Sequence, residues 1–202
     1  MHEKSSKQIF SNLYATGKSL WDTDKPDSGL ISILEKYNIK PCKVLECGCG
    51  TGNDSIYLAE QGFTVTGIDF AQYAIDSSNA KKEERKLINV EFILDNFITR
   101  DLGTEQYDFA YDRSAAYSGI YSNVCSKFAN KISNALVSKG YWFTIIHSTH
   151  DGITYIPSIT EKGLRFSVEK YFDIIELNEV PLEMGRSDIV ALAWRCFMRK
   201  KI

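Results

Sequence analysis

Apolar and polar positions along the chain follow two rhythms. Short runs rich in β-branched, aromatic and other apolar residues predict strands at Lys43 to Cys47, Phe63 to Asp69, Val90 to Leu94, Tyr107 to Asp112 and Tyr141 to His147. Helical periodicity fills the intervals. Asn53 to Gln61 reads as a helix closed by Gly62 in a left-handed conformation, and Ala71 to Arg85 carries Ala74, Ile75 and Ser78 along one stripe. A further helix holds Val124, Phe128, Ile132 and Leu136 at four-residue spacing and ends before Gly140. Ahead of the first strand, Ser28 to Asn38 is amphipathic through Leu30, Ile31, Ile33, Leu34 and Tyr37. The stretch before it, which contains Trp21, reads as irregular, too short for a domain and long enough for a lid.

Strands and helices in alternation require right-handed crossovers, hence a mostly parallel sheet covered on both faces. The fold class is α/β, doubly wound. At the carboxyl end the rhythm changes: Phe172 to Val180 and Asp188 to Arg199 are separated only by a short stretch around Gly185, too short for a crossover helix. They are expected to form an antiparallel hairpin closing one edge. With 202 residues, no internal repeat and four scattered prolines, residues 1–202 are expected to form one domain, with 1–27 as its amino-terminal lid segment.

Composition narrows the function. Hydrophobic residues are 44% and charged residues 25%, which excludes disordered and collagen-like chains. Lys plus Arg number 24 against 26 Asp plus Glu, a formal charge of -2, so there is no global positive field for nucleic acid or an anionic membrane. The best apolar run, Ile189 to Trp194, falls far short of the roughly 20 residues of a spanning helix. Met1 to Phe10 has no apolar core of a secretory signal. Cys42, Cys47, Cys49, Cys125 and Cys196 include no CxxC pair and read as reduced thiols, so a cytoplasmic location is expected.

The candidate chemistry is concentrated in VLECGCGTGND, Val44 to Asp54, where a buried strand runs through Gly48, Gly50 and Gly52 into a helix. Glycines let a ligand lie against the backbone, and a helix amino terminus offers unpaired N–H groups. Ligands of open α/β sheets bind at the carboxyl ends of strands. Asp69 ends the next strand 21 positions after Gly48, where an acid can accept both hydroxyls of a ribose. The plain alternatives are a structural turn and a surface Asp. The dinucleotide pattern G-x-G-x-x-G fails because position 53 is Asn53, which speaks against NAD and FAD. Cys42, Cys47 and Cys49, and His147 with His150 and Asp151, raise a metal site. Cysteine ligation in the loop would compete with close backbone approach, so no metal is expected. The run Lys81 to Lys86 reads as a solvated helix face.

Glu46 to Gly52, ECGCGTG, together with Asp69 resembles the E/D-x-G-x-G-x-G loop and ribose acid of class I S-adenosylmethionine-dependent methyltransferases. Trp21-Asp22, GFTVTGIDF, YDFAYDR and the ending from FDIIELNEVP to AWRCFMRKK look like the thiopurine and tellurite small-molecule branch, over about Tyr14 to Lys200. The resemblance implies a seven-stranded Rossmann-like methyltransferase sheet with S-adenosyl-L-methionine as cofactor. It places Cys47, Gly48 and Gly50 at the methionine part, Asp69 and Phe70 along the ribose and adenosine, Asp95, Asn96 and Phe97 at the adenine, and Trp21 over the ligand. Asp95-Asn96 as a simple chain turn remains open.

On the acceptor side the expected residues are Asp112 and His147 as catalytic groups and Arg113 and Tyr117 as substrate contacts. His147 as a satisfied structural histidine also remains open. Ser114 departs from the branch, which has Gly after Asp-Arg. No Asn/Asp-Pro-Pro-aromatic element follows the fourth strand, where Asp112-Arg113-Ser114-Ala115 stands, and that favours a small-molecule methyl acceptor over DNA or RNA. The expected activity is methyl transfer to a small nucleophile. A protein that binds the cofactor for regulation without catalysis is the alternative.

Overall fold

A computed structural model describes residues 3–115, 122–150, 158–184 and 191–202, of which 3–7 and 122–124 by backbone alone. Its elements are α1 (Glu3–Ala15), α2 (Ser28–Lys36), β1 (Lys43–Cys47), α3 (Asn53–Glu60), β2 (Thr64–Asp69), α4 (Gln72–Glu84) and β3 (Val90–Leu94). They continue with β4 (Tyr107–Arg113), α5 (Ser122–Ala135), β5 (Leu136–His147), α6 (Glu161–Val168), β6 (Phe172–Leu182) and β7 (Ala191–Lys200). The seven strands lie in the order β3-β2-β1-β4-β5-β7-β6. The first five are parallel, while β7 runs antiparallel to both β5 and β6.

Alternation along each strand divides the core in two. Leu45, Ala110, Trp142 and Cys196 face α5 and α6, where they meet Phe128, Ile132, Leu164 and Val168. Their neighbours Val44, Phe109, Phe143 and Phe197 face α2, α3 and α4, where they meet Leu30, Leu34, Ile56 and Ile75. Successive residues pointing to opposite apolar layers explain why these strands read as continuous hydrophobic runs. The parallel crossovers put the carboxyl ends of β1, β2, β4 and β5 on one edge of the sheet.

Three elements differ from the sequence reading. The stretch before Ser28 is irregular only over residues 16–27, because α1 precedes it. Phe10 and Tyr14 stand one helical turn apart on α1 and pack against Trp21, and Phe10 also packs against Phe70. Leu136 opens β5 instead of closing α5. It is fully buried in the same layer as Phe128 and Ile132, so the four-residue spacing identifies the buried face but not where the helix stops. The third is α6, in the crossover from β5 to β6. Thr160 caps it by accepting from Gly163 N–H at 3.1 Å, and its buried face is Leu164 and Val168. The hairpin runs β6 to β7 as expected, though the turn around Gly185 lies outside the described residues.

Candidate functional site

Between β1 and α3 the backbone of Gly48, Gly50 and Gly52 takes φ of 74°, 53° and 81°. Side chains at all three positions would collide with their surroundings, at Gly52 with Ser78 Cβ at 2.7 Å. A Cβ on Gly48 would stand 2.4 Å from the Ala115 Cβ, and one on Gly50 would stand 2.8 Å from the Tyr14 hydroxyl. Gly48 and Cys49 donate their N–H groups to the Ile68 carbonyl at 2.7 and 3.1 Å, which fixes the loop to the end of β2.

Asp69 completes that junction. Its Oδ2 accepts from Gly50 N–H at 3.0 Å and its Oδ1 from Ala71 N–H at 2.8 Å. Each oxygen keeps a lone pair for a further donor such as a ribose hydroxyl. Burial raises its pKa and these backbone donors oppose the rise.

Over the loop lies an aromatic cover. Trp21 donates its indole N–H to the Tyr14 hydroxyl at 2.9 Å, and the two rings meet edge to face at 5.9 Å. Phe10 bridges Trp21 and Phe70 at ring distances of 5.5 and 5.4 Å. Asp22, next in the chain, accepts from the Thr51 hydroxyl at 3.0 Å and from Asn53 Nδ2 at 2.9 Å, so the segment after Trp21 is pinned to the start of α3. Beneath, a pocket opens that is lined by Tyr14, Trp21, Gly48 and Gly50 and by the charged residues Asp22, Lys25, Glu46, Asp54 and Arg113.

Two of the lining acids, Glu46 and Asp54, and the neighbouring Asp27 and Arg195 were not singled out in the sequence. Glu46 is buried and accepts from the Ser55 hydroxyl; burial, reinforced by Asp54, holds its pKa well above the ordinary carboxylate range. Burial also pushes Asp54 up to about 6, although Asp27 N–H at 2.6 Å and the Tyr111 hydroxyl at 3.2 Å favour its charged form. Asp27 caps α2 through Gly29 and Leu30 N–H groups and stands between Arg113 at 3.7 Å and Arg195 at 3.6 Å. No local motif marks this cluster. An N-cap Asp ahead of Leu30 was the one available signal.

The expected residues fall into three groups. Trp21, Cys47, Gly48, Gly50, Asp69 and Phe70 gather around the loop and its cover. Asp95 and Asn96 make the chain turn: Asp95 Oδ1 accepts from Asn96 N–H at 2.7 Å, its Oδ2 pairs with Arg100 at 2.7 Å, and Asn96 Oδ1 accepts from Ile98 N–H at 3.0 Å. Asp95 N–H in turn donates to the Asp69 carbonyl at 3.0 Å, so that turn is anchored beside the ribose acid. Phe97 is a core residue, 2% exposed, lying under Gly48 and against Phe128.

Of the residues expected at the acceptor, Asp112 is fully buried and accepts the Trp142 indole N–H at 2.9 Å, and His147 is 1% exposed at the end of β5. Neither lines the pocket. Arg113 does line it, yet its donors go to the Trp21 carbonyl at 3.4 Å and to the Glu183 carbonyl, besides the ion pair with Asp27. Ser114 holds φ of 57°, the left-handed conformation in which the branch has glycine, and its N–H donates to the Ile145 carbonyl at 2.6 Å. Tyr117 lies outside the described residues. None of the five cysteines is in a disulfide, and among the described residues no group of three or more His, Cys, Asp or Glu is placed to hold a metal ion. No helix among the described residues is long and apolar enough to cross a membrane.

A glycine loop after β1, an acid ending β2 and this strand order define the Rossmann-like fold of class I S-adenosylmethionine-dependent methyltransferases. The family model for the methyltransferase domain matches residues 39–162, and the chain belongs to that family. A 2-heptyl-1-hydroxyquinolin-4(1H)-one methyltransferase from Mycobacteroides abscessus is 35% identical over 72 residues, 36% of this chain and 31% of its own. The Haemophilus influenzae protein named "Probable S-adenosyl-L-methionine-dependent methyltransferase TehB" is 39% identical over 71 residues, 35% of this chain and 24% of its own, which agrees with the tellurite branch read from the sequence. The matched stretches thus span less than a third of these relatives' own lengths. The same fold occurs in the crystal structure of Burkholderia thailandensis 1,6-didemethyltoxoflavin-N1-methyltransferase with bound 1,6-didemethyltoxoflavin and S-adenosylhomocysteine. It superposes with a TM-score of 0.79 at 20% identity, covering 100% of this chain and 90% of that one.

Proposed function

We propose that the protein transfers the methyl group of S-adenosyl-L-methionine to a small-molecule nucleophile in the cytoplasm. The observation that carries this reading is the pocket over Gly48 and Gly50, beside Asp69, whose walls bear both signs of charge. A zwitterionic amino-acid end requires such walls: Lys25 suits a carboxylate, and Asp22 and Asp54 suit an ammonium. Bound S-adenosylmethionine supplies an activated sulfonium methyl.

The chain's own residues then position. Asp69 takes the ribose hydroxyls, the turn of Asp95 and Asn96 borders the adenine, and Phe97 supports the loop from below. Phe10, Tyr14 and Trp21 close over the ligand as a lid, excluding water from the transfer path, with residues 1–27 as the moving segment. Asp112, Arg113, His147 and Tyr117 stand on the acceptor side, at and after the ends of β4 and β5. Alignment of donor and acceptor can supply an effective molarity of roughly 10⁵ M or more, so a soft nucleophile needs little else. The relative named for a hydroxyquinolone supports a small-molecule acceptor.

The test combines calorimetry with S-adenosylmethionine, its demethylated product and NAD, and transfer of labelled methyl to a panel of phenols, thiols and amines. Binding of the first two but not NAD, with label appearing in an acceptor, is expected. Cofactor binding with no acceptor labelled would point instead to a regulatory protein.

A further inference from the structure

Beyond the end of β5 lies a second set of polar side chains that the cofactor pocket does not use. His150 Nδ1 stands 2.8 Å from Glu179 Oε1 on β6, and the same oxygen accepts from the Ser148 hydroxyl. The Ser148 oxygen accepts from His150 N–H at 3.2 Å, which fixes the backbone under the ring. The imidazole lies edge to face with Trp194 of β7, ring centres 5.6 Å apart, and Trp194 is held by its own N–H bond to the Ile159 carbonyl at 3.0 Å. His150 is thus clamped by a carboxylate on one ring nitrogen and an indole on one face, while its side chain is 54% exposed.

We propose that His150, oriented by Glu179, is the general base that deprotonates hydroxyl acceptors for methyl transfer. This rests on the reading of the protein as a methyltransferase. Three features carry it. A carboxylate at Nδ1 places the proton there and leaves the Nε2 lone pair to accept, on a side chain that is half exposed, the arrangement a base requires. Position is the second: His150 follows the carboxyl end of β5 by three residues, on the sheet edge that carries the glycine loop, and β5 neighbours β4 with Arg113. The third is contrast with His147, which is 1% exposed within the sheet and cannot meet an incoming molecule without rearrangement.

In the step, the acceptor O–H proton passes to His150 Nε2, and the oxygen's electron pair forms the bond to the methyl carbon. The S–CH₃ bond breaks with its pair remaining on sulfur, giving the methyl ether and S-adenosylhomocysteine. The imidazolium then gives its proton to water. Glu179 is a positioning residue that stabilises the transient imidazolium, and Ser148 holds the carboxylate. A thiol that is already ionised at neutral pH bypasses the base.

The experiment compares the full-length wild type with His150→Gln and Glu179→Ala, using labelled S-adenosylmethionine with phenol and with thiophenol. His150→Gln is expected to lower kcat on phenol by roughly 10² to 10⁴-fold, with thiophenol turnover and cofactor affinity unchanged. Free imidazole should restore part of the phenol turnover. Independently of turnover, ¹⁵N spectra of the ring are expected to show the Nδ1–H tautomer in the wild type and a mixture in Glu179→Ala; the chain's three histidines make the assignment tractable. Equal losses on both acceptors, no loss on either, an unchanged tautomer in Glu179→Ala, or a wild type that methylates thiophenol but not phenol would each overturn the assignment of the base and leave the methyltransferase reading standing. A wild type that methylates neither acceptor overturns the assignment of the base, and one that also labels no acceptor of the wider panel overturns the methyltransferase reading with it.

Discussion

Arg113 Nε faces Asp27 Oδ2 at 3.7 Å, with Asp27 1% exposed and the Arg113 side chain 13% exposed. The pair joins three parts of the chain. Asp27 caps α2, Arg113 ends β4, and the remaining guanidinium donors reach the carbonyls of Trp21 and of Glu183 after β6. Arg195 of β7 adds a second cation at 3.6 Å from the other Asp27 oxygen. The pocket wall at Arg113 is therefore braced by an ion cluster that ties the segment after Trp21 to the carboxyl-terminal hairpin.

Breaking that cluster from the acid side removes the shared partner of two half-buried cations, each of which keeps other acceptors, so Asp27→Ala is expected to lose about 1 to 3 kcal/mol of stability, with loss of the α2 cap included. Arg113→Lys retains charge but not the fork of donors and should lose less than Arg113→Ala. Urea unfolding of the three variants gives the order. Equal stability of Asp27→Ala and wild type would show that the ion cluster contributes nothing.

A buried acid with a raised pKa makes stability depend on pH in a defined sense. Asp54 is pushed from 3.8 up to about 6, so between those values the folded protein holds a proton that the unfolded chain has released. Its contribution is most favourable below about pH 4 and is lost as pH rises through 6, by about 3 kcal/mol at full effect. Glu46, also raised, acts in the same direction. Exposed ion pairs act oppositely, so the readout is a difference: Asp54→Asn should gain stability over wild type from pH 4 to 7 and flatten that part of the curve. Parallel curves for the two proteins would contradict the raised value.

Ser114 offers a test of backbone strain. At φ of 57° a side chain costs about 1 kcal/mol that glycine does not incur, while the serine hydroxyl recovers a little through a 3.3 Å contact with the Ile145 carbonyl. Ser114→Gly should therefore leave stability equal or higher by up to about 1 kcal/mol, and Ser114→Val should lower it. Thermal unfolding distinguishes them, and a clear loss in the glycine variant would mean that the hydroxyl outweighs the strain.

What the sequence made legible follows local physics. The strands of the sheet stood out because neighbours such as Val44 and Leu45, or Trp142 and Phe143, enter two different apolar layers. The glycine loop and Asp69 stood out because a tight turn beside a strand end needs those residues whatever surrounds them. Contacts between distant segments were hidden. Phe10 and Tyr14 make a helix face only because Trp21 and Phe70 meet it, and Asp27, Arg113 and Arg195 become one cluster only once α2, β4 and β7 converge. Arg113 read as a contact waiting for an acceptor, and the fold commits its donors to carbonyls and Asp27.

Asp69 should control cofactor affinity in a way that separates binding from folding. Its oxygens accept Gly50 and Ala71 N–H groups and retain lone pairs for two ribose hydroxyls. Loss of two hydrogen bonds to a charged acceptor, each about 1.5 to 3 kcal/mol, predicts a weakening on the order of a hundredfold or more for S-adenosylmethionine in Asp69→Ala. Asp69→Asn keeps one acceptor oxygen but sets its amide NH2 against the other backbone N–H, so it should lose about 1 to 3 kcal/mol of stability, still fold, and bind weakly. Calorimetry giving near-normal affinity for either variant would remove Asp69 from the site.

The aromatic cover makes a prediction about motion as well as affinity. Trp21 sits in the irregular stretch 16–27 and is held there by its N–H bond to Tyr14, by ring contacts with Phe10 and Tyr14, and by Asp22 at the start of α3. Tyr14, Trp21 and Asp22 line the pocket, so a ligand that fills it adds contact area to these residues and stabilises the closed cover. Bound S-adenosylmethionine should therefore slow proteolytic cleavage within residues 16–27. Trp21→Ala loses the indole and its hydrogen bond together and should abolish that protection while weakening cofactor binding about tenfold, roughly 1.4 kcal/mol. Tyr14→Phe loses only the hydroxyl, worth about 1 kcal/mol, and should retain partial protection. Limited proteolysis with and without cofactor, read by mass spectrometry, checks the order. Cleavage at the same rate in all conditions would mean that Trp21 is a fixed packing residue and that residues 1–27 do not close.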